Sequence, residues 1–100
     1  MPTNICAMHI TDHAADQYTD RVLHQRVVFD DPRLLKKQRG RAKACIVVRM
    51  RSAVLLETGM HDGCEQRAWQ LAGCVATEKR GCITTILSPA MYAHGLRSDT

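Results

Sequence analysis

Residues 11–22 read Thr-Asp-His-Ala-Ala-Asp-Gln-Tyr-Thr-Asp-Arg-Val, and they hold the clearest helix pattern in the chain. Thr11 or Asp12 can cap this helix, because a short side-chain oxygen accepts a hydrogen bond from a free N–H of the first turn. An apolar stripe recurs every four positions, at Ala14, Tyr18 and Val22. The spacing predicts an amphipathic helix with one face packed on a core.

A second helix start follows at Asp30-Asp31-Pro32, which combines an acidic cap with a proline at the first helical position. Proline is tolerated there because the first N–H groups of a helix have no intrahelical partner. We expect one or two turns over residues 33–39. Gly40 then ends the helix, since glycine readily adopts the left-handed conformation found after a helix.

The segments after Gly40 favour strands, because they are rich in apolar and β-branched residues. They are residues 45–50, 53–58 and 69–76, and Cys82–Leu87. Between them, residues 59–67 predict a loop and residues 78–81 a turn, while residues 5–10 suit an edge strand or an extended arm. Because helices precede strands, we predict the α+β class in a single domain of residues 1–100. One or two N-terminal helices would pack on a three- to four-stranded antiparallel sheet.

Positive charge is concentrated in one stretch of a mildly basic chain, which has a net charge of +4 and a pI of about 9.0. Eight of the fourteen lysines and arginines lie within nineteen residues, with no acid from Pro32 to Ala53. They are Arg33, Lys36, Lys37, Arg39, Arg41, Lys43, Arg49 and Arg51. A solvated helix normally intersperses acids among its bases, so this run predicts a surface that binds an anionic partner. In the predicted strand, Arg49 and Arg51 would point to the same side.

The five cysteines are odd in number, and the first ten residues lack the positive region and apolar run of a signal peptide. No stretch approaches the ~20 apolar residues of a membrane span. We therefore expect a reduced, cytoplasmic protein that does not enter a membrane.

Histidines are the candidates for acid–base chemistry, because their charge changes near neutral pH. His13 ranks above His24, His61 and His94, since the first turn of a helix would hold it rigidly. With Arg21 and Tyr92, His13 could form a metal-independent ribonuclease site.

Cys6, His9 and His13 have a spacing that could bind zinc, but no fourth ligand stands at a typical interval. We therefore predict neither a metal nor a cofactor.

Residues 10–22 resemble a Thr-x-His-Ala-x-x-Arg-Tyr-x-x-Arg opening found in small, often phage-borne proteins. Ile83-Thr84-Thr85-Ile86-Leu87 is similar to their closing strand. The resemblance is to the barnase, colicin and RelE-like ribonuclease fold, and it implies RNA as substrate, with His13, Arg21 and a basic sheet surface forming the site. Gln17 stands where the pattern has an arginine, which favours a binder over a working nuclease.

Three functions follow. The first is a small basic protein that binds RNA or a host nucleoprotein complex, with or without catalysis. The second is a phage-encoded inhibitor of a host defence complex, of the anti-CRISPR type, that docks on an acidic protein surface in the host cytoplasm. The third is a metal-independent endoribonuclease toxin. A strand edge near Cys45 or Ile83 could pair two copies, so we expect a monomer or a homodimer.

Overall fold

Helices and a single sheet make up the computed structural model, which describes residues 9–93 apart from the side chain of His61. In chain order the elements are β1 (His9–Ile10), α1 (Asp12–Arg21), α2 (Pro32–Met50), β2 (Val54–His61), β3 (Cys64–Leu71), β4 (Cys74–Lys79), β5 (Cys82–Leu87) and α3 (Pro89–Met91). The predicted α+β class is confirmed. Most of the predicted arm at residues 5–10 lies outside the described residues, and its last two residues form β1.

The sheet has five strands in the order β1-β5-β4-β3-β2, instead of the three or four predicted. β2 to β5 pair antiparallel, as expected, and β1 adds a short parallel pair with β5. The extra strand arises because residues 59–67 are not a loop. They turn at Asp62 and Gly63, whose φ angles of 52° and 77° define a type I′ hairpin turn.

A second hairpin replaces the single strand predicted at residues 69–76, since β3 ends at Leu71 and β4 begins at Cys74. Gly73 supplies the positive φ that this turn needs, at 81°. The turn predicted at residues 78–81 is confirmed with Arg80 and Gly81 at its centre, and β5 has the predicted bounds.

Helix α2 continues through Gly40 to Met50, so the predictions of a helix end at Gly40 and a strand at residues 45–50 were wrong. Ala42, Ile46 and Met50 recur every four residues and are all completely or almost completely buried. Burial of one large apolar side chain is worth about 1.5–3 kcal/mol. That exceeds the ~1 kcal/mol cost of a glycine inside a helix, and it also outweighs the strand preference of β-branched residues.

The core lies between the two long helices and one face of the sheet. α1 contributes Ala14, Ala15 and Tyr18, as its apolar stripe predicts, and α2 contributes the three residues named above. From the sheet, Ile83 and Ile86 both reach this core although they are three residues apart. Strict alternation would put them on opposite faces, but a bulge in β5 shifts the register between them.

No helix within residues 9–93 is both long enough and apolar enough to cross a lipid bilayer.

Candidate functional site

The basic run lies almost entirely on α2, and the helix divides it between two faces. Asp31 accepts hydrogen bonds from the N–H groups of Arg33 and Leu34, so the helix starts as the acidic cap and proline predict. Arg49 is the last cation inside the helix, and Arg51 caps its C-terminus. The expectations that Arg49 and Arg51 lie along a strand, and that the basic run forms part of a sheet surface, were therefore wrong.

Two cations on the inner side of α2, Arg39 and Lys43, are paired with acids of α1. Arg39 forms a two-pronged contact with Asp16, with Nε 2.9 Å from Oδ1 and Nη2 2.8 Å from Oδ2. The contact is half-buried, and the hydrogen bond to Asp16 raises the pKa of Arg39 above its ordinary value. Planar two-pronged pairs of this kind are strong and fix orientation, so Arg39 joins the two helices.

Lys43 binds the second acid of α1, with its Nζ 2.7 Å from Oδ1 of Asp12. This hydrogen bond, and then the charge of Lys43, hold the pKa of the Asp12 carboxyl below its usual range. Asp12 also lies 3.6 Å from Arg39. Both inner cations are therefore paired with acids of the same chain.

Arg49 has a different neighbour, because its guanidinium interacts with the hydroxyl of buried Tyr18. Burial raises the pKa of Tyr18, and the contact with Arg49 opposes that shift.

The outer cations are those on the solvent side of α2. They are Arg33, Lys36, Lys37 and Arg41, and all four are exposed. Within residues 9–93 none of them forms an ion pair. Arg33, Lys37 and Arg41 stand four residues apart on successive turns, which puts them in one row with steps of about 6 Å along the axis. The predicted anion-binding surface therefore narrows to this row and its neighbour Lys36, with Arg51 exposed beyond the helix end.

The histidine at the start of α1 lies in a groove of about 830 Å³. His13, Asp20, Arg21 and His24 all line it, together with the loop that carries Phe29. His24 has a φ of 54°, a left-handed conformation in which histidine is enriched among non-glycine residues. The structure thus brings together two of the three predicted catalytic residues, and it adds His24, which sequence reasoning ranked below His13.

The side chains of Arg21 and Gln17 form hydrogen bonds with the backbone of β5. Nη1 of Arg21 donates to the carbonyl of Ile86 at 2.6 Å, and Oε1 of Gln17 accepts from the N–H of Ile86 at 2.8 Å. Within residues 9–93, β1 pairs only with the start of β5, and these two side chains bind the backbone groups of Ile86 beyond it. Gln17 therefore has a structural task at the position where the resemblance has an arginine.

The orientation of the Gln17 amide also determines which hydrogen-bond role Nε2 of His13 takes in their contact. Because Oε1 of Gln17 accepts from Ile86, its Nε2 faces Nε2 of His13, 2.9 Å away. An amide nitrogen only donates, so Nε2 of His13 is the acceptor in this contact.

Tyr92, the third predicted catalytic residue, is not among the residues that line the groove. Its hydroxyl donates to Oε2 of Glu57 on β2, at the opposite edge of the sheet from β1.

The candidate metal ligands form no cluster within the described residues. Cys6 and His94 lie outside the described residues, and in the described part of the chain no three potential ligands among His, Cys, Asp and Glu come together. Cys74 is fully buried, and this burial raises its pKa to about 11, so the thiol stays protonated and unreactive near neutral pH.

Comparison of the chain with protein-family models, with curated protein sequences and with solved structures gave no significant match.

Proposed function

We propose that this protein binds the phosphate backbone of RNA through the outer cations of α2. The observation that carries the proposal is the division of charge on this helix. The acids that α1 turns toward α2 neutralise Arg39 and Lys43, whereas the four outer cations have no ion-pair partner within residues 9–93. A row of unpaired cations on a protein surface binds and neutralises the phosphate oxygens of a nucleic acid.

The mode of binding follows from what else the helix carries. No aromatic residue occurs in α2, so stacking of unpaired bases plays no part in the contact with this face. Lysine and arginine contacts to phosphate position a nucleic acid without reading its sequence. We therefore expect affinity that depends steeply on salt and weakly on sequence. The resemblance of residues 10–22 and 83–87 to the ribonuclease fold agrees with RNA as the partner, and we propose RNA partly on that basis.

Fluorescence anisotropy with a labelled single-stranded RNA tests the proposal. The double variant Lys37→Glu/Arg41→Glu should weaken binding about 100-fold. The matched control is Lys79→Glu/Arg80→Glu, which changes the net charge equally at the β4–β5 turn and should weaken binding much less. Equal losses in both variants, or no binding by the unaltered protein at low salt, would refute a site on α2.

A protein partner is the alternative outcome. If nuclease-treated host lysate still yields a stoichiometric protein complex, and Lys36→Glu/Lys37→Glu releases it, the outer cations bind an acidic protein surface instead of RNA. That result would favour an inhibitor of a host defence complex over an RNA-binding protein.

A second candidate function is metal-independent RNA cleavage, and the groove on α1 favours it. His13 and His24 line the same groove, and two titratable groups are what a general base and a general acid require. Purified protein should then cleave RNA in the presence of a chelator, and His13→Ala should abolish cleavage while Gln70→Ala, at an exposed residue of β3 outside the groove, retains it. Intact RNA after prolonged incubation would rule out this activity and leave the binding proposal standing.

A further inference from the structure

Phe29 is the one aromatic residue within residues 9–93 whose side chain lies mostly in solvent, with 66% of its surface exposed. The other aromatic residues in that range are buried or half-buried, at Tyr18, Trp69 and Tyr92. The phenyl ring of Phe29 belongs neither to the core nor to the apolar side chains packed against the core. Most of its surface is therefore free to contact a ligand.

The backbone that carries Phe29 is held in place by Gln38 of α2. Nε2 of Gln38 donates to the carbonyl of Arg26 at 2.8 Å, and its Oε1 accepts from the N–H of Val28 at 3.0 Å. The N–H of Asp31 also donates to the carbonyl of Val28, at 3.3 Å, and this bond closes a turn with Phe29 at its tip. A ring on a fixed backbone loses little freedom when it binds, and such preorganisation favours affinity.

The ring of Phe29 lines the groove on α1, beside His13. The groove volume of about 830 Å³ falls within the ~300–1,000 Å³ that small-molecule sites occupy. Exposed side chains of His13, Asp20 and Gln25 supply hydrogen-bond donors and acceptors along the groove. An aromatic face beside donors and acceptors suits a flat heterocycle with polar edges, which is the chemistry of a nucleobase.

The charges of the groove and of α2 favour different parts of a nucleotide. Two aspartates and two arginines line the groove, so the formal charge of its lining is zero when the histidines are neutral. The four outer cations of α2, in contrast, have no ion-pair partner within residues 9–93. Electrostatic complementarity therefore places phosphates on the helix and an uncharged base in the groove.

The groove and the outer cations are close enough for one RNA strand to contact both. Arg33 follows Phe29 by four residues, so their Cα atoms are at most ~14 Å apart. From Arg33 the row of cations runs about 12 Å along the axis of α2 to Arg41. A strand of about eight nucleotides, with at least ~3.4 Å for each, spans the whole distance.

We infer that an unpaired base of the bound RNA stacks on Phe29 in this groove, while phosphates further along the strand contact the outer cations of α2. The inference rests on the proposed RNA binding, and it adds the base contact that α2 lacks. Every base has an aromatic face, so stacking on Phe29 accepts all four bases and keeps the dependence on sequence weak.

Abasic RNA separates the base contact from the phosphate contacts, because it keeps every phosphate and lacks every base. The probes are a labelled RNA strand of about ten nucleotides with mixed sequence and an abasic strand of the same length, compared by fluorescence anisotropy at low salt. The unaltered protein should bind the intact strand about tenfold more tightly than the abasic strand. Phe29→Ala should remove this preference by weakening the binding of the intact strand alone.

Two further variants distinguish stacking from simple apolar contact. Phe29→Leu keeps apolar bulk without a ring and should behave like Phe29→Ala, whereas Phe29→Trp should keep the preference, with indole emission quenched by the intact strand. Met60→Ala on β2 truncates another exposed apolar side chain and is the matched control, which should bind both strands as the unaltered protein does. All variants should retain the circular dichroism spectrum of the unaltered protein.

The base contact and the phosphate contacts fail in different ways. If Lys37→Glu/Arg41→Glu weakens both strands but the unaltered protein binds the two strands equally, phosphate binding stands and the base contact is overturned. The base contact is also overturned if Phe29→Ala keeps the preference for the intact strand, since the bases then bind elsewhere. If neither strand binds at low salt, both proposals are overturned together.

Discussion

The inner and outer sides of α2 carry the same kind of residue and differ in what neutralises it. On the inner side, Asp12 and Asp16 of α1 bind Lys43 and Arg39, and these contacts link the two helices. On the outer side, Arg33, Lys37 and Arg41 repeat every four residues and face solvent. A basic run in a sequence therefore contains both paired and unpaired cations, and only the fold shows which are which.

The largest effect should come from removing the outer row. Arg33→Met/Lys37→Met/Arg41→Met removes three of the proposed phosphate-binding cations, so RNA affinity should fall about 100-fold, or ~2.7 kcal/mol, at moderate salt. The free energy of unfolding should change little, because these side chains make no ion pair in residues 9–93. Anisotropy and urea unfolding measure the two quantities on one preparation. A large loss of stability would show that the row supports the fold.

The inner contact should give the opposite result. Arg39→Met leaves the half-buried carboxylate of Asp16 without its two-pronged partner, so the free energy of unfolding should fall by about 2 kcal/mol. RNA affinity should stay within about twofold, since this charge is already neutralised. Arg26→Met, which removes an exposed arginine without an ion pair in the described residues, is the control. If Arg39→Met weakens RNA binding as much as the outer triple variant, the division between the two sides fails.

Gln17→Arg restores the arginine of the resemblance and should destabilise the protein by about 1 kcal/mol. The N–H of Ile86 would lose the oxygen that accepts it and face a donor instead. Thermal unfolding measures the loss, and Gln25→Arg, at an exposed residue, controls for the added charge. Unchanged stability would mean that the Gln17 contact contributes nothing to the fold.

The smallest effect concerns pH at the contact between Asp12 and Lys43. Since the pKa of Asp12 is lowered in the folded state, its stabilising effect is present above the ordinary carboxyl pKa, and it declines as pH falls through the folded value. Asp12→Asn should therefore flatten the acid limb of the stability curve slightly and leave the alkaline limb unchanged. Identical acid limbs in both proteins would mean that this contact is fully screened by solvent.

The sequence predicts the start of each long helix well, because caps are local. Thr11, and Asp31 with Pro32, have the short oxygens and the imino acid that a first turn requires. The end of α2 could not be read in the same way. Gly40 and the β-branched residues after it are local signals against a helix, and the burial of Ile46 against distant elements overrides them.

Hairpins were missed for a different reason. Asp62-Gly63 carries the strongest short hairpin signal, but the flanking residues do not alternate between apolar and polar, since most of β2 is exposed. The roles of Gln17 and Arg21 had no local signal at all, because their partner Ile86 lies 69 and 65 residues away along the chain.

The salt dependence of RNA binding tests the central claim most directly, because each neutralised phosphate adds to the slope of log affinity against log salt. Four outer cations on a single-stranded RNA predict a slope of about −3, and Lys37→Met should reduce its magnitude by about 0.7. Arg39→Met should leave the slope unchanged. A flat slope for the unaltered protein, or an equal reduction in both variants, would contradict the assignment of RNA binding to the outer side of α2.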